Sequence, residues 1–151
     1  MRIMVSNLGR VVGRQHILRD INAVFEDGSM NVLIGPNGAG KTSLLRQVAM
    51  LDSPTAGEIF YDGMPLAGSS SKKRTSLRRK IGFVLQAPHL MNGTVHDNMA
   101  YGLRLRGIAI SGNRIDEALY RMGLEGKSGS IAKELSGGEK HRLSVARALI
   151  S

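Results

Sequence analysis

Residues 35–42 read Gly-Pro-Asn-Gly-Ala-Gly-Lys-Thr, an order of residue types that can hold phosphate. The glycines let the backbone curl so that several N–H groups point inward at anionic oxygens, a concavity that side chains would block. A helix beginning near Lys41 aims the positive end of its dipole at the same place. Lys41 brings a full, mobile charge to the outer phosphates of a nucleotide, and the Thr42 hydroxyl is the expected Mg²⁺ ligand. The candidate phosphate-binding residues are therefore Gly35, Pro36, Asn37, Gly38, Ala39, Gly40, Lys41, Thr42 and the following Ser43, with Lys41 also a candidate catalytic cation. A glycine-rich turn could match by accident. This one follows an apolar run and opens an amphipathic stretch, which is the context a phosphate loop needs.

A second glycine pair lies far downstream, in Leu135-Ser136-Gly137-Gly138-Glu139-Lys140-His141-Arg142. Gly137 and Gly138 expose backbone N–H groups at a helix start, and Ser136 adds a hydroxyl, which makes another anion-binding surface. Alone, the same residues would also suit a turn that merely caps a helix. With the phosphate loop ahead of it, however, this stretch resembles the signature motif of the ATP-binding-cassette (ABC) family. The resemblance runs over nearly all of the chain, from Arg2 to Ser151. Residues 57–63 (GEIFYDG) look like the family's hairpin after the phosphate-loop helix, and residues 88–106 look like the start of its helical subdomain. That second stretch, which follows RRKIGFVLQ, is more similar to import-type cassettes than to exporters. Among importers it looks closest to oxyanion uptake systems of the tungstate or molybdate class.

The resemblance implies an α/β P-loop NTPase fold with N-terminal antiparallel strands and a helical subdomain, and with the C-terminal part of the core missing. It implies a nucleotide-binding core over residues 1–88, a helical subdomain over 89–136, and the signature with its following helix over 135–151. ATP and Mg²⁺ are the implied cofactors. Ser136, Gly137 and Gly138 would act on nucleotide held by a second subunit. Gln86 stands at the family's Q-loop position, with an implied catalytic and metal-contacting role beside Thr42. Implied partners are a second ATP-binding subunit, transmembrane permease subunits and a substrate-binding protein, at the cytoplasmic face of a membrane. The implied activity is ATP hydrolysis coupled to solute import.

Two departures from the family pattern stand out. The family's Walker B strand, with its metal-binding aspartate and catalytic glutamate, begins a few residues beyond position 151, so these 151 residues are expected to bind Mg·ATP without turning it over. Residues 23–27 and 59–62 imitate such a strand, but Asp27 and Asp62 each precede a glycine and read as turns. The family's base-stacking aromatic is also absent, because residues 1–24 contain no Phe, Tyr or Trp and Val12 sits near the expected place. A soluble ABC-type ATPase of DNA repair is a rival reading. Such proteins insert a long coiled coil between the two motifs, and no heptad run occurs here.

The positioning elements follow from periodicity. Short antiparallel strands are expected at residues 2–5 and 23–25, followed by a turn at Glu26-Asp27-Gly28. Residues 31–34 should be a strand feeding the loop, and Leu44, Leu45, Val48 and Leu51 recur at helical spacing. Residues 58–61 with Asp62-Gly63 suggest a strand and turn, and the polar, serine-rich residues 64–79 a mobile connector. A buried strand is expected at 81–85, closed by Gln86. Helices are expected over 95–105, 113–122 and 138–150.

Composition narrows the alternatives. A chain of 151 residues with 42% hydrophobic side chains can bury a core, and no stretch approaches the roughly 20 apolar residues of a membrane-spanning helix. A cytoplasmic location is the expectation. The absence of cysteine excludes disulfides and thiolate metal sites, and the four histidines show no close pairing. The net charge of +9 invites an anionic ligand. Its densest run, residues 72–80, has no interleaved aromatics, so it reads as a solvated face and no nucleic-acid partner is expected.

Overall fold

Strand β1 (Ile3–Val12) and strand β2 (Gln15–Phe25) pair antiparallel from Ile3↔Phe25 to Val12↔Gln15, turning through Gly13 and Arg14. The ladder is longer than its expected ends at 2–5 and 23–25. Register shifts between Val5 and Val11, with Asn7 and Asp20 at φ 47° and 48°, interrupt the period-two alternation by which a strand is recognised. Strand β3 (Ala56–Tyr61) joins the other edge of β1, and β4 (Met64–Pro65) returns beside it, giving the order β2-β1-β3-β4, antiparallel throughout. Asp62 and Gly63, at φ 49° and 77°, form the two-residue turn between them, as Asp-Gly predicts. Asp62 also accepts the Arg2 N–H at 2.8 Å, and Asp27 pairs with the Met1 ammonium. Both acids are occupied by local structure.

The structure is a computed structural model that describes residues 1–110 and 112–150. They divide into two units, Met1–Ile81 and the described residues from Gly82 onward. In the first unit, helix α1 (Lys41–Val48) lays Leu44 against Val5, Leu8, Leu18, Ile59 and Tyr61. Burying a leucine of this kind contributes about 2 kcal/mol. Tyr61 is fully buried and its hydroxyl donates to the Val48 carbonyl at 2.7 Å, which satisfies one of the open acceptors at the helix end. Burial pushes that hydroxyl well above the ordinary tyrosine range, so it stays a neutral donor.

Gln47, on the same helix, is also fully buried, and neither its Nε2 nor its Oε1 has a partner among the described residues. A desolvated, unpaired amide costs about 1–3 kcal/mol. Gln47→Leu is therefore expected to stabilise the fold by about 1–2 kcal/mol in urea denaturation; an unchanged or lower midpoint would show that the amide is paired in solution.

Residues 64–79, expected to be a mobile connector, are ordered instead. After β4, helix α2 (Ser71–Arg78) begins at Ser70, whose side chain accepts the Lys73 N–H at 3.3 Å, and Leu77 is its single buried side chain. One apolar anchor in a cationic segment is too little periodicity to read from sequence.

The second unit is helical. Helix α3 (Val95–Leu105) starts in a capping box in which Asp97 accepts from Thr94 and Thr94 accepts from Asp97 N–H, and helices α4 (Gly112–Arg121) and α5 (Gly137–Leu149) follow. Val95, Met99, Leu103, Ile115, Leu119, Leu124, Leu143 and Ala146 form its core. Buried Asn98 contrasts with Gln47: its amide accepts from Met91 N–H at 2.9 Å and donates to the carbonyls of Met91 and Thr94.

Two expected strands are not strands. Residues 31–34 lie outside any ladder, with Val32 75% and Ile34 88% exposed. Residues 81–85 likewise join no sheet. A parallel core strand draws its hydrogen bonds and its burial from neighbours on both sides, and among the described residues neither segment has such a neighbour.

Candidate phosphate-binding site

The loop before α1 has the geometry of an anion cradle. Gly38 and Gly40 sit at φ 81° and 87°, in the left-handed region that turns the chain inward. Gly40 is the tighter constraint. A Cβ there would lie 2.7 Å from Leu18 Cδ2 and 2.8 Å from the Ile17 carbonyl oxygen, so the loop is seated directly on β2. Neither contact partner was singled out in the sequence, where nothing marks Ile17 and Leu18 apart from ordinary strand residues.

Helix α1 begins at Lys41, and its first ladder bond runs from Leu44 N–H to the Gly40 carbonyl at 2.9 Å. The amides of Lys41, Thr42 and Ser43 precede that bond and carry the positive end of the helix dipole. Lys41 Nζ donates to the carbonyls of Gly35 and Pro36, each at 2.7 Å, which folds its ammonium back across the loop. Thr42 is exposed on the first turn, as are residues 35–39 ahead of Gly40. Cation, open amides and hydroxyl thus converge on one exposed concavity. Phosphate oxygens fit this donor set, with Lys41 Nζ lying across the loop at the Gly35 and Pro36 carbonyls, and the Thr42 hydroxyl is the oxygen that an accompanying Mg²⁺ would meet.

Ser136, Gly137 and Gly138 are exposed at the start of α5. The first ladder bond here is Lys140 N–H to the Ser136 carbonyl at 2.9 Å. Glu139 N–H is taken by Ser136 Oγ, and Ser136 N–H by Glu139 Oε2 at 2.8 Å, so the capping box leaves the Gly137 and Gly138 amides unused. The carboxylate of Glu139, missed as a site-building residue, was signalled by the Ser-x-x-Glu spacing. Hydrogen bonds from Ser136, reinforced by Lys127 at 3.3 Å, lower its pKa to about 2. A depressed carboxyl stabilises the fold above its unfolded pKa, and that contribution fades as pH falls from about 4.5 to about 2. Glu139→Gln should accordingly be less stable than the parent at neutral pH and equal to it near pH 2. Thermal melts across that range test this, and a pH-independent difference would contradict it.

Gln86 lies exposed in a bend and not at the end of a strand. It belongs to the second unit with the signature residues, whereas residues 35–43 belong to the first.

The model of the ABC transporter family matches residues 18–151. The chain is 41% identical over 137 residues to the methionine import ATP-binding protein MetN 2 of Bacillus cereus, which covers 89% of this chain and 40% of that protein. It is 37% identical over 154 residues to the Fe(3+) ions import ATP-binding protein FbpC of Mannheimia succiniciproducens, covering 98% and 42%. The chain thus spans about two fifths of the length of these relatives. Among solved structures it is similar to a dimeric bacterial ABC transporter cassette at 31% identity and TM-score 0.88, covering 98% of this chain and 69% of that one. It is also similar to cbiO1 of Clostridium perfringens, part of the ABC transporter complex cbiONQ, at 28% identity, TM-score 0.81 and coverage of 98% and 61%.

Proposed function

The chain belongs to the ABC transporter family, with the P-loop ATPase fold of that family, and from this membership we propose that it binds Mg·ATP as the ATP-binding part of an importer. The observation that carries the proposal is the convergence of Lys41 Nζ with the amides of Lys41, Thr42 and Ser43 on a loop seated by Gly40 against β2. The loop supplies phosphate binding: the amides and dipole receive phosphate oxygens, and Lys41 exchanges its carbonyl partners for the outer phosphates. Mg²⁺ supplies further charge neutralisation when bound with the nucleotide, and the Thr42 hydroxyl is its candidate protein ligand. For Gln86, the family resemblance supports a metal-contacting and water-facing role.

Coupling to transport belongs to the same proposal. Ser136, Gly137 and Gly138 would complete the nucleotide site of a second ATP-binding subunit, so that ATP draws two copies together and hydrolysis releases them. Support comes from the exposed Ser136, Gly137 and Gly138 at the start of α5 and from the dimeric cassettes among similar structures, one of them in a post-hydrolysis state with ADP and Pi. Permease subunits, a substrate-binding protein and a place on the cytoplasmic face are proposed with it, and the likeness to import ATP-binding proteins supports them. No helix among the described residues is long and apolar enough to cross a membrane itself. A tungstate- or molybdate-class solute is the finest part of the proposal and rests on sequence resemblance alone.

Hydrolysis requires acids that hold the metal from a second side and orient water. Asp27 and Asp62 are engaged in an ion pair and a turn, so the 151-residue polypeptide is proposed to bind Mg·ATP without steady turnover. Phosphate release by the purified polypeptide tests this. Turnover abolished by Lys41→Ala would assign a catalytic acid among these residues.

A further inference from the structure

Helix α2 and the two residues after it concentrate charge of one sign. Lys72, Lys73, Arg74, Arg78, Arg79 and Lys80 are six cations within nine residues, and no Asp or Glu occurs between Asp62 and Asp97. All six are exposed, and among the described residues none forms an ion pair. Acids of the first unit that could have answered them are engaged elsewhere: Glu26 with Arg2, Asp27 with the Met1 ammonium, Asp52 with Arg46, and Glu58 with the N–H groups of Ile59 and Ala67.

The arrangement works against the helix. Lys72, Lys73 and Arg74 stand in the first turn, at the positive end of the dipole, with no acid among them, and Arg74 and Arg78 are like charges four residues apart. Folding gives no reason for this charge, because Leu77 alone ties α2 to the core. The other side chains of residues 71–80 are exposed Ser, Thr, Lys and Arg. Such a face has nothing apolar to bury in a protein interface, whose centre is depleted in lysine, and nothing apolar to push between lipid tails. Residues 62–82 contain no Phe, Tyr or Trp on which a base could stack. What α2 offers is attraction to a broad, phosphate-dense surface that demands no shape fit, which is the property of an anionic bilayer.

We propose that α2 with Arg79 and Lys80 is an electrostatic docking face for anionic phospholipid headgroups, holding the first unit against a membrane surface without insertion. The proposal is independent of the phosphate loop: vesicle binding can fail while Mg·ATP binding holds, and the reverse.

The test is co-sedimentation of the chain with vesicles of phosphatidylcholine alone or with about 30% phosphatidylglycerol. Binding should require phosphatidylglycerol and fall by about tenfold or more on raising salt to about 0.5 M. Each cation near the surface contributes about fivefold, so the triple variant Lys72→Gln, Lys73→Gln, Arg74→Gln should bind about 100-fold more weakly. Arg14→Gln, Arg19→Gln, Lys133→Gln removes the same charge from exposed positions off α2, and should lose less than about tenfold. The α2 variant should melt at the same temperature as the parent or higher, since its substitutions relieve repulsion; a lower melting temperature would show that the cations serve the fold and would overturn the proposal. Absence of binding to phosphatidylglycerol vesicles, or equal losses in the two triple variants, would also overturn it. So would tighter, α2-dependent binding to a DNA duplex of about 20 base pairs at equal phosphate concentration, which would assign the face to nucleic acid.

Discussion

Replacing Lys41 by alanine is expected to weaken Mg·ATP binding about 100-fold. The ammonium is the one full charge on the loop, and a charge-assisted hydrogen bond contributes about 1.5–3 kcal/mol, with each 1.4 kcal/mol equal to tenfold in affinity. Its two present acceptors, the Gly35 and Pro36 carbonyls, show that Nζ reaches across the concavity and can deliver two such bonds. The amides of Thr42 and Ser43 remain in the variant, so residual binding should persist. Mg·ADP, which lacks the outermost phosphate, should lose less. Isothermal titration of both nucleotides checks the pair of expectations, and an unchanged ATP affinity would remove Lys41 from the site.

Gly40→Ala should have the largest effect on both fold and binding. The new Cβ meets backbone at Ile17 O, 2.8 Å away, and Leu18 Cδ2 at 2.7 Å, while φ of 87° is unfavourable for any residue with a side chain. Leu18 can shift its methyl, but the Ile17 carbonyl is backbone and cannot move without shifting β2. A loss of about 2–4 kcal/mol is expected, together with loss of ATP binding as the loop lifts from β2. Gly38→Ala is the comparison. Its φ of 81° carries similar backbone strain, but a Cβ there meets nothing within 4 Å, so it should lose only about 1–2 kcal/mol. Equal effects at the two positions would mean that the seat on β2 does not matter.

The fold class was legible in the sequence, whereas the ends and pairing of individual elements were less so. Residues 35–43 announce themselves because phosphate binding needs glycine, lysine and hydroxyl types at fixed spacing, and α1 does start at Lys41. The helix start at Ser136 to Gly138 was readable from the Ser-x-x-Glu capping pattern. The Asp62-Gly63 turn was readable because only certain residues tolerate positive φ at both places. The apolar runs at 31–34 and 81–85 misled, since apolarity records a capacity for burial and only neighbouring strands realise it. Helix α2 was missed because a single anchor, Leu77, leaves no periodicity. The contact of Gly40 with Ile17 and Leu18 joins positions far apart in sequence, and no local pattern encodes it.

The most direct measurement of the central claim is a titration of Mg·ATP into isotopically labelled protein, followed by backbone amide resonances. The account predicts the largest shifts at Gly38, Gly40, Lys41, Thr42 and Ser43, saturating with a single affinity and reproduced by tripolyphosphate. Shifts confined to the cationic helix α2, around Lys72, Lys73 and Arg74, with the loop amides unmoved, would contradict it.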